Sequence, residues 1–361
     1  MVAPATTSYA DASLLGWYTL LDVVQDYTSQ AANALLLEIA RIMDREVPFL
    51  KILPLVPSNE ILSNLGNRTD YLPSPGTRRF NSGVLATASH NKPIRDDIAL
   101  FADYIEVDKE ECEVQNEPDK WRANKVKDHL VGLEKKLETV LWYGNNAYEP
   151  GCFNGVFTRF NSLETTPNGL SDWPANVWNG GATATPASSI CIMELGPEKV
   201  YGIYPKNLPG GLHLQDLGEQ IKSIPSQTGT MAAMARYQVL ISYLRWAIGI
   251  QILDERCIQR ICNLNPTVLS ANNFDENILI AAKNWLPGKG EAPGTVIFMN
   301  RSLKTQVDIR AVSQKINTYF TQNQDTGDVF GGTVTRFQNI PILVSEMILG
   351  IPGQTTETIV S

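Results

Sequence analysis

The clearest pattern in the chain lies between residues 117 and 143. Val126, Leu130, Leu133, Leu137, Val140 and Leu141 recur there at three- and four-residue steps. Lys125, Lys127, Asp128, Glu134, Lys135, Lys136 and Glu138 fall between them, which predicts an amphipathic helix with these charges on its other faces. Asn116 is a candidate cap, Pro118 suits the first turn, and Asp119 suits the positive end of the helix dipole. Gly144, Asn145 and Asn146 end the pattern. At about 1.5 Å per residue, roughly 26 residues make a rod of about 40 Å. A stripe of that length needs a sheet or a partner along its whole apolar side.

Upstream, residues 14–27 and 31–46 show shorter helical patterns, the second placing Leu35, Ile39, Ile42 and Met43 at helical spacing. Pro48, Pro54 and Pro57 then stop any helix and call for extended chain. Such a segment is either an arm that borrows its burial from other surfaces or an ordinary helical layer. Residues 64–95 are turn-rich and basic, with Arg68, Arg78, Arg79, Lys92 and Arg95 against Asp70. They read as a long two-stranded excursion with a polar tip. Residues 96–113 reverse the sign, carrying Asp96, Asp97, Asp103, Glu106, Asp108, Glu110, Glu111 and Glu113 against Lys109. The two blocks predict either a charged projection that meets an opposite surface or a solvated hairpin whose arms neutralise each other.

Beyond the long helix, residues 150–235 are rich in Gly, Pro, Asn, Thr and Trp and predict short strands and loops. Residues 236–263 are β-branched and aromatic. They read as long strands that turn near Ala247–Gly249 or near Asp254–Arg256. Residues 272–285 predict a helix, 294–300 a buried strand, and 302–319 a helix. Residues 330–349 predict a hairpin turning near Asn339, Ile340 and Pro341. Helices and strands mixed in this way give an α+β protein.

The chain has 361 residues with 43% hydrophobic and 19% charged positions, an ordinary globular balance that excludes wholesale disorder. Its net charge of −8 disfavours a protein built to grip nucleic-acid phosphates. His90, His129 and His213 are the histidines, so common metal ligands and general bases are scarce. Cys112, Cys152, Cys191, Cys257 and Cys262 are odd in number and scattered, which predicts reduced, buried thiols and a reducing compartment. The N-terminal stretch lacks a basic region and is interrupted by Asp11, Asp22 and Asp26, unlike a signal peptide. No window offers 18 charge-free apolar residues, so no membrane span is expected.

Candidate chemistry is thin. No nucleophile elbow, Walker loop, dinucleotide fingerprint or zinc pair occurs. Gly288-Lys289-Gly290 follows a helix and lacks the hydroxyl residue of a phosphate loop, so it reads as a turn. Gly180-Gly181-Ala182 reads the same way, and His129 reads as a helix residue. Asp96-Asp97 and Glu110-Glu111 could pose as catalytic carboxylates, but sequence neighbours point to different sides of an element.

The order of these segments resembles the major capsid proteins of tailed bacteriophages, in particular a group found in certain short-tailed phages. The likeness is carried by DYLPSPGTRRFNSGVLATASHNKPI with IEVDKEE, by LETVLWYGNNAYEPGCFNGVFTRFN, by NVWNGGATATPASSICIMELGPEKVYGIYPKNLPGGLHLQDLG, by YLRWAIGIQILDERCIQRICNL, and by TVIFMNRSLKTQVDI with FQNIPILVSE. It implies an α+β fold of the tailed-phage capsid type, with an N-arm, an extended β-hairpin loop, a spine-helix peripheral domain and an axial domain. The implied division is an arm over residues 1–63, the loop and acidic return over 64–113, and the spine helix over 114–155. Axial segments would cover 156–235 and 266–329, with peripheral strands over 236–265 and C-terminal strands over 330–361.

The resemblance further implies hexamers and pentamers of the subunit closing an icosahedral shell around double-stranded DNA. DNA contact would be weak and non-specific. A separate scaffolding protein, a portal and a decoration protein would be partners, with no membrane, no cofactor, no metal and no catalytic residue. Localisation would be the virion capsid, assembled in the host bacterial cytoplasm. Leu65, Tyr71 and Leu72 would pack on the next subunit's spine helix. Arg68, Arg78 and Arg79 would meet a neighbour's Asp96, Asp97 or Glu106. The alternatives are an encapsulin-like compartment shell and a cytosolic carboxylate-dependent hydrolase.

Overall fold

A computed structural model describes residues 48–71, 75–88, 90–115, 118–163, 175–183, 186–208, 211–225, 234–267, 275–314, 320–322, 334–350 and 357–360. The helices expected over 14–27 and 31–46, the Asn116 cap and Leu72 lie outside these residues.

The described chain opens with α1 (Pro48–Ile52) and β1 (Leu55–Pro57). Pro48 is the first residue of α1. At the first helical position its missing N–H costs nothing, and the turn buries Phe49 and Leu50. Next come β2 (Ser63–Tyr71) and β3 (His90–Asp97), then β4 (Ala99–Asp108) and the short α2 (Lys109–Val114). The long helix α3 (Pro118–Tyr143) has 26 residues. It stops at Gly144, whose N–H reaches the Val140 carbonyl at 2.8 Å. A Cβ at Gly144 would stand 2.4 Å from the Phe153 carbonyl oxygen, so the returning chain can pass only a glycine. That return carries α4 (Val156–Arg159).

The strands β5 (Val177–Asn179), β6 (Ser188–Glu194), β7 (Val200–Tyr204), β8 (Leu212–Pro225), β9 (Met234–Ile252) and β10 (Ile258–Leu264) follow. After them come α5 (Glu276–Asn284), β11 (Thr295–Met299), α6 (Arg301–Gln314), β12 (Phe320–Gln322), β13 (Val334–Phe337) and β14 (Ile340–Val344). β8, with 14 residues, is far longer than the short strands expected before residue 235. β9 runs unbroken for 19 residues. Ala247 and Ile248 lie opposite Leu100 and Ala99, and Gly249 opposite Ile203, so the chain does not turn there. It turns at the other expected place, where the Asp254 carboxylate accepts from the Arg256 N–H and caps a single 3-10 turn, Glu255–Cys257. The last hairpin turns on Gln338 and Asn339 (φ 46° and 69°), the left-handed pair that matches strand twist.

Two sheets result. The five-stranded sheet runs β1-β7-β9-β4, with β8 also paired to β9. The seven-stranded sheet runs β12-β13-β14-β11-β6-β10-β5. Segments 156–235 and 236–265 each contribute to both sheets: β5, β6 and β10 join the larger, β7, β8 and β9 the smaller. Strand pairing therefore cuts across the boundaries expected from the sequence.

The larger sheet is covered on both sides. Cys191, Met193, Val296 and Phe298 face a core that includes Leu130, Leu137, Leu141 and Trp142 of α3. Ile190, Ile192, Ile297 and Met299 face Leu279 and Ala282 of α5 and Leu303 and Val307 of α6. This double burial explains the near-continuous apolar runs SSICIME and TVIFM. The α3 core also takes in Leu244 and Ile248 of β9, so one helix side seats on both sheets. At its centre Phe49 stacks on Trp142 at 4.8 Å and meets Phe298 edge-on at 5.0 Å. Glu134 and Glu138, expected on an outer face, are fully buried within α3. The stripe that two sheets must cover is wider than the apolar positions alone supply.

Candidate inter-subunit surfaces

β2 and β3 pair antiparallel from Ser63 opposite Asp97 to Tyr71 opposite His90, forming the predicted excursion. Its base is fastened by polar groups. The Asn64 amide donates to Gln251 Oε1 inside the protein, and the Tyr201 hydroxyl donates to the same oxygen at 2.9 Å. Asn59 clasps the Leu65 backbone from both sides, at 2.8 and 2.9 Å. Gly66 passes so close to Leu253 that a Cβ there would lie 2.3 Å from its Cδ2. Arg159 of α4 holds Asp96 at 2.7 Å. Burial pushes the Asp96 carboxyl up, against the pull of Arg159.

The far end, residues 75–88, forms no helix or strand and is exposed throughout. Ser82 bonds the backbone of Arg79 in both directions at 2.9 Å, tightening a turn around Asn81 (φ 63°). Phe80 is 99% exposed and Leu85 89%. Arg78 and Arg79 flank them in solvent. Phe80 and Leu85 are thus large apolar groups standing in solvent on an irregular projection.

The other expected site residues distribute unevenly. Leu65 is half-exposed at the hairpin base. The register puts Arg68 opposite Lys92. Asp96 is buried against Arg159, whereas Asp97 is exposed, so these sequence neighbours face opposite ways. Glu106 of β4 pairs with Lys222 of β8 across β9 within the chain. Lys109 likewise meets Glu219 at 3.0 Å and Arg122 meets Asp216 at 2.5 Å. Within the acidic block Asp96 and Glu106 thus have basic partners in their own chain, while Glu110, Glu111 and Glu113 of α2 remain exposed.

The outward side of α3 is polar. Lys125, Asp128, His129, Lys135 and Lys136 are exposed there. His129 Nδ1 lies 2.8 Å from Asp103, and Lys136 reaches Glu149 at 3.0 Å. Two surfaces escaped the sequence reading. On the outer side of β4, Leu100 and Tyr104 are 54% and 59% exposed, with Tyr104 against the Tyr243 ring at 4.6 Å. The signal was the period-two alternation in ALFADYIEVD. The second is the end of the β8–β9 ribbon. Ile221 to Pro225 pair with Gln238 to Met234, beyond the last β4–β9 pair at Asp108 and Val239.

All five cysteines are free and buried. Burial raises Cys191 and Cys257 far above the usual thiol range and Cys262 to about 11. Among the described residues no group of three or more His, Cys, Asp or Glu could hold a metal ion. Nor is any described helix long and apolar enough to cross a membrane.

A family model, "Major capsid protein GP7", matches residues 31–356. The structure of bacteriophage Epsilon15 contains a similar chain at 22% identity and TM-score 0.56, covering 81% of this chain and 84% of that one. The bacteriophage JBD30 capsid is similar at 11% identity and TM-score 0.46, covering 84% and 91%. A Synechococcus elongatus encapsulin matches at 10% identity and TM-score 0.37, covering 60% and 86%. No curated protein matches. The fold is that of the tailed-phage capsid proteins, and with a family match over most of its length the chain belongs to the GP7 family of major capsid proteins.

Proposed function

We propose that this subunit assembles as hexamers and pentamers into an icosahedral shell around the double-stranded DNA of a tailed phage. The observation that carries the reading is the β2–β3 projection. Phe80 and Leu85 stand almost fully in solvent at its tip, and apolar surface of that kind is stable only when another copy covers it. In this reading 1–63 is the arm and 64–113 the loop with its return, and the two sheets with α3 make up the wall. The role is structural, without catalysis.

Leu65, Tyr71 and Leu72 pack against a neighbour's α3, where the exposed Lys125, Lys135 and Lys136 offer their aliphatic stems. Arg68, Arg78 and Arg79 meet a neighbour's exposed acids, Asp97 foremost and Glu106 beside its Lys222. Asp96 acts inside its own chain, through Arg159. A separate scaffolding protein, a portal and a decoration protein are further partners. The net charge of −8 keeps DNA contact weak, so that a packaged genome can leave. Assembly takes place in the bacterial cytoplasm.

Electron microscopy of the purified protein tests this reading. Closed shells, tubes or rings of five and six are expected. A monodisperse monomer at high concentration would overturn it.

A further inference from the structure

The last described residues of the chain enter the core. Glu357 is 5% exposed and sits beside Arg260 of β10, itself 4% exposed. Arg260 Nη2 donates to Glu357 Oε2 at 2.8 Å. The Ser189 hydroxyl of β6 donates to the same oxygen, and the Tyr143 hydroxyl, at the end of α3, donates to Oε1. Arg260 has further work. Its Nη1 holds the carbonyls of Phe160 at 2.6 Å and Phe157 at 3.2 Å, its Nε bonds Ser189 at 3.1 Å, and its guanidinium lies 4.4 Å from the Phe157 ring centre. Tyr143 also accepts the Leu349 N–H at 3.0 Å. Three residues on, Asn263 of β10 grips the Val360 backbone both ways, at 2.9 Å each.

One carboxylate therefore joins α3, the α4 turn, β6 and β10. Without it, a buried guanidinium keeps its neutral partners and loses its counter-charge, a costly state in a dry interior. We propose that the segment around Glu357 is a latch that completes the subunit, so that only subunits with this latch closed on Arg260 become competent to assemble. The proposal rests on the shell-forming reading above.

The test compares the wild type with three variants: deletion of 357–361, deletion of 358–361, and Glu357→Gln. Shell yield is read by sedimentation, and amide hydrogen exchange is measured on the unassembled subunit. Removal of 357–361 is expected to abolish shells and to deprotect the amides of Phe160 and Ile261. Deletion of 358–361, which keeps the carboxylate, is expected to lower yield less. Glu357→Gln keeps the shape and removes the charge, so it reads the latch even if the truncated chain does not fold. Roughly a tenfold or greater loss of shells is expected, with the same amides exposed. Wild-type yield and protection in Glu357→Gln would overturn the latch. So would lost assembly with unchanged protection, which would make the tail an inter-subunit contact instead. If the wild type itself forms no shells, the shell reading fails, and the exchange data still decide whether the tail closes the core.

Discussion

Glu138, in the second-last turn of α3, accepts a hydrogen bond from the Ser345 hydroxyl at 2.6 Å, just beyond the end of β14. The same oxygen receives the Trp142 indole N–H at 3.4 Å. A fully buried carboxyl thus pins the long helix to the larger sheet. Burial pushes its pKa up to about 7, against the pull of Ser345 and Trp142, and the nearby Glu346 charge adds to the rise.

The sign of the resulting pH dependence follows. An acid whose pKa is higher folded than unfolded favours the native state while it is neutral. That stabilisation is complete below about 4.5 and is lost as pH rises through about 7. The interval corresponds to roughly 3 kcal/mol. Chemical denaturation of the unassembled subunit between pH 5 and 8 should show stability falling as pH rises. Glu138→Gln should flatten that slope. An equal slope in both proteins would assign the effect elsewhere.

Asp96 and Arg159 provide a second test, at the root of the loop. Arg159→Met leaves the buried Asp96 carboxylate facing the Ile252 N–H without the Arg159 counter-charge, and should cost about 3–5 kcal/mol. Adding Asp96→Asn to Arg159→Met should recover a large part of the loss, because no stranded charge remains. Denaturation of the four proteins closes the double-mutant cycle, and additive costs would show that the two residues are not coupled.

Deleting residues 68–90 should abolish shell assembly and leave a soluble, folded monomer. The hairpin base holds the sheet through Asn64, Gly66 and Asp96, whereas the tip contacts solvent. Circular dichroism and sedimentation check the two halves of this outcome. Normal shells from the deleted protein would show that the loop is no inter-subunit element.

Reversing Arg78 and Arg79 to Glu should weaken assembly more at low salt than at high salt, since exposed charges are screened over about 10 Å at 0.1 M. Phe80→Ser should lower assembly to a similar degree at every salt concentration, with subunit stability changed by less than about 0.5 kcal/mol because the ring is solvent-exposed. Light scattering against ionic strength separates these two contributions.

The sequence alone determined the elements whose signal is local. The 26-residue helix is written in three- and four-residue steps, the loop in its turn residues and sign reversal, and the last hairpin in the residues around Asn339. Segment order carried the family likeness, because order survives where pairwise identity is low. Only the tertiary structure decided what each element touches. β9 runs straight through Ala247–Gly249 because β4 and β7 supply partners there, a matter of strands distant in sequence. The turn after Pro48 is helical with Phe49 packed on Trp142 and Phe298. Glu134 and Glu138 look like surface charges in a helical pattern, yet the helix is roofed by two sheets and they lie inside. Asp96 looks like an accessible acid until Arg159 of α4 covers it. Propensity and periodicity are properties of neighbours along the chain. Burial and ion pairing depend on which distant segments meet, and the packing of the whole core fixes that.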